Sequence, residues 1–164
     1  MVSAKILWIF LALLAVANIF VYWSISASSS LVAERLSAGE GSAVLIRAPG
    51  GRAVLVGAGP DASILRALGE ALPPWQRSLD ALILLDVSAN GEGGAPFVLE
   101  RYRVAHLLRA VERGTPTREA ALASAASAAH VGVKEIPQGA GLILHYGSLS
   151  LPLSASTTPG QYSF

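Results

Sequence analysis

Asp86, Ser88, Asn90 and Glu92 occupy alternate positions of a short segment that closes on Gly93-Gly94. Oxygen donors set so close together could serve a metal. A hydrolytic transition-metal site needs several neutral imidazoles or carboxylates converging on one ion, with a position left open for water. A hard cation such as calcium takes roughly six to eight oxygens. Asp86, Asn90 and Glu92 would be a thin start for such a cage, and a solvated polar loop is the simpler reading. The three histidines, His106, His130 and His145, are scattered without a paired-ligand spacing and read as surface or sheet-face residues. The chain has no cysteine, which excludes disulfides and thiolate metal sites.

Arg101, Arg103, Arg109 and Arg113 form a modest basic group that could touch phosphates. Glu100 and Glu112 interrupt it, so a salt-bridged surface is the plainer reading. A net charge of +1 gives no strong electrostatic case for nucleic acid. Gly57-Ala58-Gly59 lacks the lysine and the pattern of a phosphate loop, and its simpler role is to turn the chain from strand to helix.

These residues depend on a scaffold that the apolar pattern outlines. Ala43–Ala48 and Ala53–Val56 are apolar runs separated by Pro49-Gly50-Gly51, which reads as a β-hairpin. A helix follows, with Ile64, Leu65, Leu68 and Leu72 on one face and Asp61 or Ser63 as its cap. Pro73-Pro74 ends it. Ala81–Leu85 is continuously apolar, as a strand buried on both faces would be. After the glycine-rich loop at Asn90–Gly94 come a short helix from Pro96 to Tyr102 and a strand from Val104 to Leu108. Thr115-Pro116 opens an alanine-rich helix that runs to about His130, with proline in its first turn. Strand-like runs follow at Val131–Ile136, Leu142–Tyr146 and Leu149–Leu153. Pro152 confines the last of these to an edge, and Thr157–Phe164 reads as a loose tail. The order is that of an α/β layered fold with a mixed sheet.

Ahead of this pattern, Ile6–Ile25 carries no charge and has about the 20-residue length that a bilayer core requires. Trp8 stands near one end, with Tyr22 and Trp23 near the other, as interfacial rings do on a spanning helix. Lys5 and the amino terminus bias the N-terminus to the cytoplasm. The alternative is a cleaved signal peptide with its site near Ser26-Ala27-Ser28, although the apolar run exceeds the roughly 7–15 residues usual for one. The expectation is a single-pass anchor and linker at 1–30, one domain at 31–156, and a tail at 157–164.

Several stretches resemble the metallo-β-lactamase-like domain of ComEC-type competence proteins, bacterial membrane proteins that import single-stranded DNA. They are Gly39-Glu40-Gly41-Ser42-Ala43-Val44-Leu45-Ile46, Pro49-Gly50-Gly51-Arg52, Val54-Leu55-Val56, Gly59-Pro60-Asp61, Leu72-Pro73-Pro74-Trp75, Leu79-Asp80, Gly93-Gly94, Leu99-Glu100-Arg101-Tyr102-Arg103-Val104 and Thr115-Pro116-Thr117. The resemblance covers roughly residues 1–135 and includes a membrane helix just before the domain. It implies a partial metallo-β-lactamase-like αβ layer with a mixed sheet, preceded by one transmembrane helix.

The resemblance also implies a lost metal site. The family's Gly-Gln-Gly-Asp has Ser42 at its aspartate, and the aspartate of Asp-Gly-Gly is replaced at Gly57-Ala58-Gly59. The family's Thr-His-Pro-Asp-Ala-Asp-His corresponds to Leu85-Asp86-Val87-Ser88-Ala89-Asn90-Gly91. Asp86 and Gly91 thus stand at histidine positions, and Ser88 and Asn90 at aspartate positions. Read collinearly, the chain ends near the close of the first half of the family's domain, which would leave a sheet edge or an apolar face uncovered. Alternatively Tyr146-Gly147-Ser148-Leu149-Ser150 corresponds to a later strand, with an internal deletion and Ser156 at a bridging aspartate.

The resemblance points to a catalytically inactive domain of a bacterial inner-membrane protein, lying outside the cytoplasm. No catalytic, cofactor or metal residue is assigned. Its partners would be the membrane and a competence channel protein or DNA, and its role that of a scaffold or docking domain, or a gene fragment without one. The alternatives are a metal-dependent hydrolase using an atypical site around Asp86, Asn90 and Glu92, and a membrane-tethered binding module.

Overall fold

A computed structural model of the 164-residue chain describes residues 8, 10–16, 31–86, 88–111, 114–137, 142–146, 149–155 and 162–163. Of the apolar run Ile6–Ile25, Trp8 and residues 10–16 are helical, and the remainder lies outside the described residues. Among the described residues no helix is long and apolar enough to cross a membrane.

The core of the fold is a six-stranded mixed sheet in sequence order, β1 to β6. β1 (Val32–Ala38), β2 (Gly41–Ala48) and β3 (Arg52–Val56) run antiparallel. β4 (Ser78–Leu84), β5 (Arg103–Ala110) and β6 (Val133–Ile136) then add parallel strands beyond β3. This is the α/β class with a mixed sheet that the sequence pattern implies. The β2–β3 turn at Pro49–Gly51 holds Gly50 and Gly51 at φ of 79° and 77°, where a side chain would be strained.

β1 is a strand where the sequence reading placed none. Glu34 and Arg35 break its apolar pattern, and only Leu36 and Ala38 bury fully. The pairing is nevertheless continuous from Val32↔Arg47 to Ala38↔Gly41, and Glu34 forms a diagonal ion pair with Arg47 at 2.9 Å. Cross-strand pairing thus supplies what local hydrophobicity lacks.

The parallel strands are linked by helices: α1 (Ser63–Ala71), the single turn α2 (Ala89–Glu92), α3 (Ala95–Arg101) and α4 (Pro116–Ala128). α1 buries Ile64, Ala67 and Leu68, and Asp61 Oδ1 accepts the Ser63 N–H at 2.8 Å at its start. α2 replaces the loop expected at Asn90–Gly94. α4 ends at Ala128, earlier than expected, because His130 turns the chain with φ of 58° before Gly132. It buries only Leu122 and Ala126, consistent with the small apolar area that alanine offers.

The helices contribute to one core with Leu45, Leu55, Leu82, Leu84 and Leu107 of the sheet. Val44, Ile46, Val54, Val56, Ile83 and Ile136 form a second cluster on the opposite face. Adjacent Leu82 and Ile83 divide between the two clusters, so β4 is buried on both faces as its sequence implies. The second cluster is at most 8% exposed.

A separate sheet holds β7 (Leu142–Tyr146), β8 (Leu149–Ala155) and β9 (Tyr162–Ser163) in that order. β8 is thus the middle strand and not the edge strand expected from Pro152, which lies opposite Ile143 of β7, while β9 joins β8 only past it, at Ser154 and Ala155. Tyr162 and Ser163 therefore belong to a strand, where a loose tail was expected; the rest of that tail, and Ser156, lie outside the described residues.

Candidate functional site

In an open α/β sheet, ligands bind beyond the carboxyl ends of the parallel strands, where the connecting loops gather. Here that edge carries residues 57–62 after β3, residues 85–86 and 88–94 after β4, and Val111, Gly114 and Thr115 after β5. The sequence-derived positions Asp86, Ser88, Asn90 and Gly91 all lie there, so the fold brings them to the place where chemistry would be done.

Their geometry closes the place. Asp86 Oδ1 accepts the Ser88 N–H and Asp86 Oδ2 accepts the Ser88 hydroxyl, each at 2.8 Å. Both carboxylate oxygens thus hold the turn that starts α2. Asn90 is exposed, and its carbonyl packs toward Gly41. Gly91 passes directly beneath Asp86, and a Cβ there would stand 2.3 Å from the Asp86 carbonyl oxygen.

The next two glycines repeat this pattern. A Cβ on Gly93 would meet the Pro60 carbonyl oxygen at 2.2 Å, and one on Gly94 the Ala58 carbonyl oxygen at 2.1 Å. Backbone hydrogen bonds stitch the same loops together: Ala58 N–H to the Gly91 carbonyl, and Gly94 N–H to the Gly59 carbonyl, both 2.8 Å. Gly57 and Gly59, at φ of 75° and 68°, let the β3 loop turn into this contact. The loops meet backbone to backbone, where an open metal site would need side-chain donors around a space.

Glu92 departs from the solvated-loop reading. It is 3% exposed and accepts Arg109 Nε at 3.0 Å and Nη2 at 3.4 Å. Arg109 also approaches Glu119 of α4, Nη2 to Oε1 at 3.6 Å. One guanidinium therefore ties α2, β5 and α4 together at the carboxyl edge. Glu92 is consumed by this triad and does not join Asp86 and Asn90 in an oxygen site. Among the described residues no three histidine or carboxylate side chains gather where one ion could be held.

The triad also divides the basic group read from the sequence. Arg109 is six residues from Arg103 on one strand, or roughly 20 Å at the usual rise. Arg101 and Arg103 stand at the opposite edge of the sheet, and Arg113 lies outside the described residues. The partners of Arg109 are Glu92 and Glu119, where Glu100 and Glu112 were expected. Glu92 in the loop after β4, together with an arginine near the end of the next strand, was the available signal for this pair. His106 and His130 are exposed, as read, and the side chain of His145 lies outside the description.

Side-chain chemistry at these positions is sparse. Gly91 has no room for an imidazole in this backbone, Asn90 is exposed, and Asp86 holds Ser88. No known protein-family model matches the chain, and no curated protein matches it.

Proposed function

We propose that this chain is a catalytically inactive, membrane-anchored relative of the metallo-β-lactamase-like domain of ComEC-type proteins, acting as a scaffold or docking domain beside a DNA-import channel. The observation that carries the loss of catalysis is the packing at the carboxyl edge. Gly91, Gly93 and Gly94 seat backbone against backbone, so the loop holds a shape without presenting donors. The apolar run Ile6–Ile25 and its flanking aromatic residues support the anchor, with the C-terminal domain outside the cytoplasm. The motif pattern quoted above supports the kinship.

The test is elemental analysis of the full-length protein after dialysis, paired with a nuclease assay in added zinc or manganese. The expected result is no stoichiometric metal and no phosphodiester hydrolysis. One equivalent of retained transition metal, lost on Asp86→Ala, would return the hydrolase to favour. A C-terminal tag reached by protease only from the cytoplasmic side, or release of the chain after cleavage near Ala27, would overturn the anchor.

A further inference from the structure

The edge opposite the candidate site has its own composition. Register places the start of β1, the Pro49–Gly51 turn, and the starts of β3, β4 and β5 at one level. Val32 pairs with Arg47, Ala48 with Arg52, and Ser78 with Arg103. The loop before β4 is fixed to this edge, because Gln76 Nε2 donates to the Gly51 carbonyl at 2.8 Å and Arg103 N–H to the Arg77 carbonyl at 2.9 Å. That loop presents Trp75, which is 79% exposed, more than any other large apolar residue described.

Arginines surround it. Arg77, Arg101 and Arg103 are exposed, and none takes part in the salt bridges among the described residues. Arg66, Arg77 and Arg101 also line a cleft of about 650 Å³ between α1 and α3, with Phe97 on its wall. Of the nearby carboxylates, Glu34 is paired with Arg47, Asp80 accepts the Ala53 N–H and Glu70 lies on α1, while Glu100 shares the wall of the cleft with the three arginines that outnumber it there. The edge is therefore basic, with one tryptophan held outward in its middle.

This is also the edge at which the chain enters the domain. Between the apolar run ending at Ile25 and β1 starting at Val32, the intervening residues can span at most about 20 Å when extended. If Ile6–Ile25 spans a bilayer, Trp75 and its arginines are held beside the headgroups. Tryptophan favours that interface, and guanidinium groups bind phosphate oxygens in pairs. We propose that this edge docks on anionic phospholipid headgroups, with Trp75 seated in the interface and Arg77, Arg101 and Arg103 on the phosphates. The inference rests on the anchor reading above. It fixes how the domain stands: basic edge to the membrane, closed carboxyl edge away from it.

The chain has three tryptophans, Trp8, Trp23 and Trp75, so each site can be isolated by replacing the others with phenylalanine. Full-length protein retaining only Trp75 is reconstituted into vesicles with bromine-labelled acyl chains, made of phosphatidylcholine alone or with added phosphatidylglycerol. The anionic vesicles should quench Trp75 at least about twofold more than the neutral ones, because several arginines are drawn to the charged surface. Arg77→Gln, Arg101→Gln and Arg103→Gln together should abolish that difference. The lipid comparison needs no arginine variant, so a folding defect cannot obscure it.

A companion chain retaining only Trp23 reports the anchor and should be quenched in both lipids. Trp23 quenched in both, with Trp75 unquenched in the anionic vesicles, overturns the docking inference and leaves the anchor standing. Neither residue quenched, in a chain that does not float with vesicles, overturns the anchor and the inference with it. A Trp75 signal that ignores lipid charge but shifts on adding an oligothymidine strand would mark a nucleic-acid surface and also overturn the proposal.

Discussion

Replacing Arg109 with methionine should destabilise the protein more than any surface change. Glu92 is 3% exposed, and Arg109 supplies two hydrogen bonds to its carboxylate, at 3.0 and 3.4 Å. The methionine variant leaves that carboxylate buried without a partner. Removing one member of a buried ion pair costs about 3–5 kcal/mol, much of it the penalty of the orphaned charge. Set against a typical stability of roughly 5–15 kcal/mol, that is a large share of what holds a domain folded.

The comparison that isolates the cause is the double variant Glu92→Met/Arg109→Met, which removes both charges and fills the space with apolar atoms. Such replacements are often neutral or stabilising, so the double variant should recover most of the loss. Glu34→Ala is the surface control. Its pair with Arg47 is short, at 2.9 Å, but both side chains are more than a third exposed, and its loss should cost about 1 kcal/mol or less. Urea unfolding of the full-length chain in non-ionic detergent, followed by circular dichroism, measures all three. A cost below about 1 kcal/mol for Arg109→Met would refute the argument, since no buried charge of normal cost could then have been orphaned. So would a double variant as unstable as the single one.

Three further outcomes follow from the packing. Gly91→Ala and Gly94→Ala each place a methyl group about 2 Å from a carbonyl oxygen, and each should lower stability by about 1–3 kcal/mol in the same unfolding assay. Gly69→Ala, inside α1 with nothing within 4 Å of the new carbon, should raise it by about 0.5–1 kcal/mol. Leu55→Ala, at a fully buried position facing the helices, should cost about 2–5 kcal/mol. Because the chain has no cysteine, Leu144→Cys/Leu151→Cys should cross-link across the β7–β8 register on oxidation, whereas a failure to cross-link with both thiols reactive would place the register elsewhere.

The sequence shows most clearly what local physics determines. The Pro49–Gly51 turn, the amphipathic face of α1 and the doubly buried β4 follow from proline, periodicity and a run of leucines. β1 was hidden because its stability lies in partners: Glu34 and Arg35 look like linker residues until Arg47 lies across from one of them. The carboxyl-edge site was legible in position and not in state. The alternating polar residues marked the right loop, but nothing local reveals that both oxygens of Asp86 fold back onto Ser88. Nor could the spacing show that Glu92 turns inward to Arg109, since that contact joins a helical turn to a strand 17 residues away. The arginines misled for the same reason. Grouped by number, they separate once the strand carries Arg103 and Arg109 to opposite ends.

The glycines of the α2 loop bear on how the resemblance should be weighed. Gly91, Gly93 and Gly94 are each required by a carbonyl oxygen that leaves no space for a side chain. Their presence is therefore explained by packing alone, with no appeal to a metal once held there. The glycines shape the backbone, whereas any side-chain chemistry in this loop would fall to Asp86, Ser88 and Asn90. The same contacts constrain any metal site that could be built there. An imidazole at position 91 would require the loop to leave Asp86, breaking the Ala58–Gly91 hydrogen bond. Building a transition-metal ligand set here would thus mean rebuilding the junction between β3, β4 and α2.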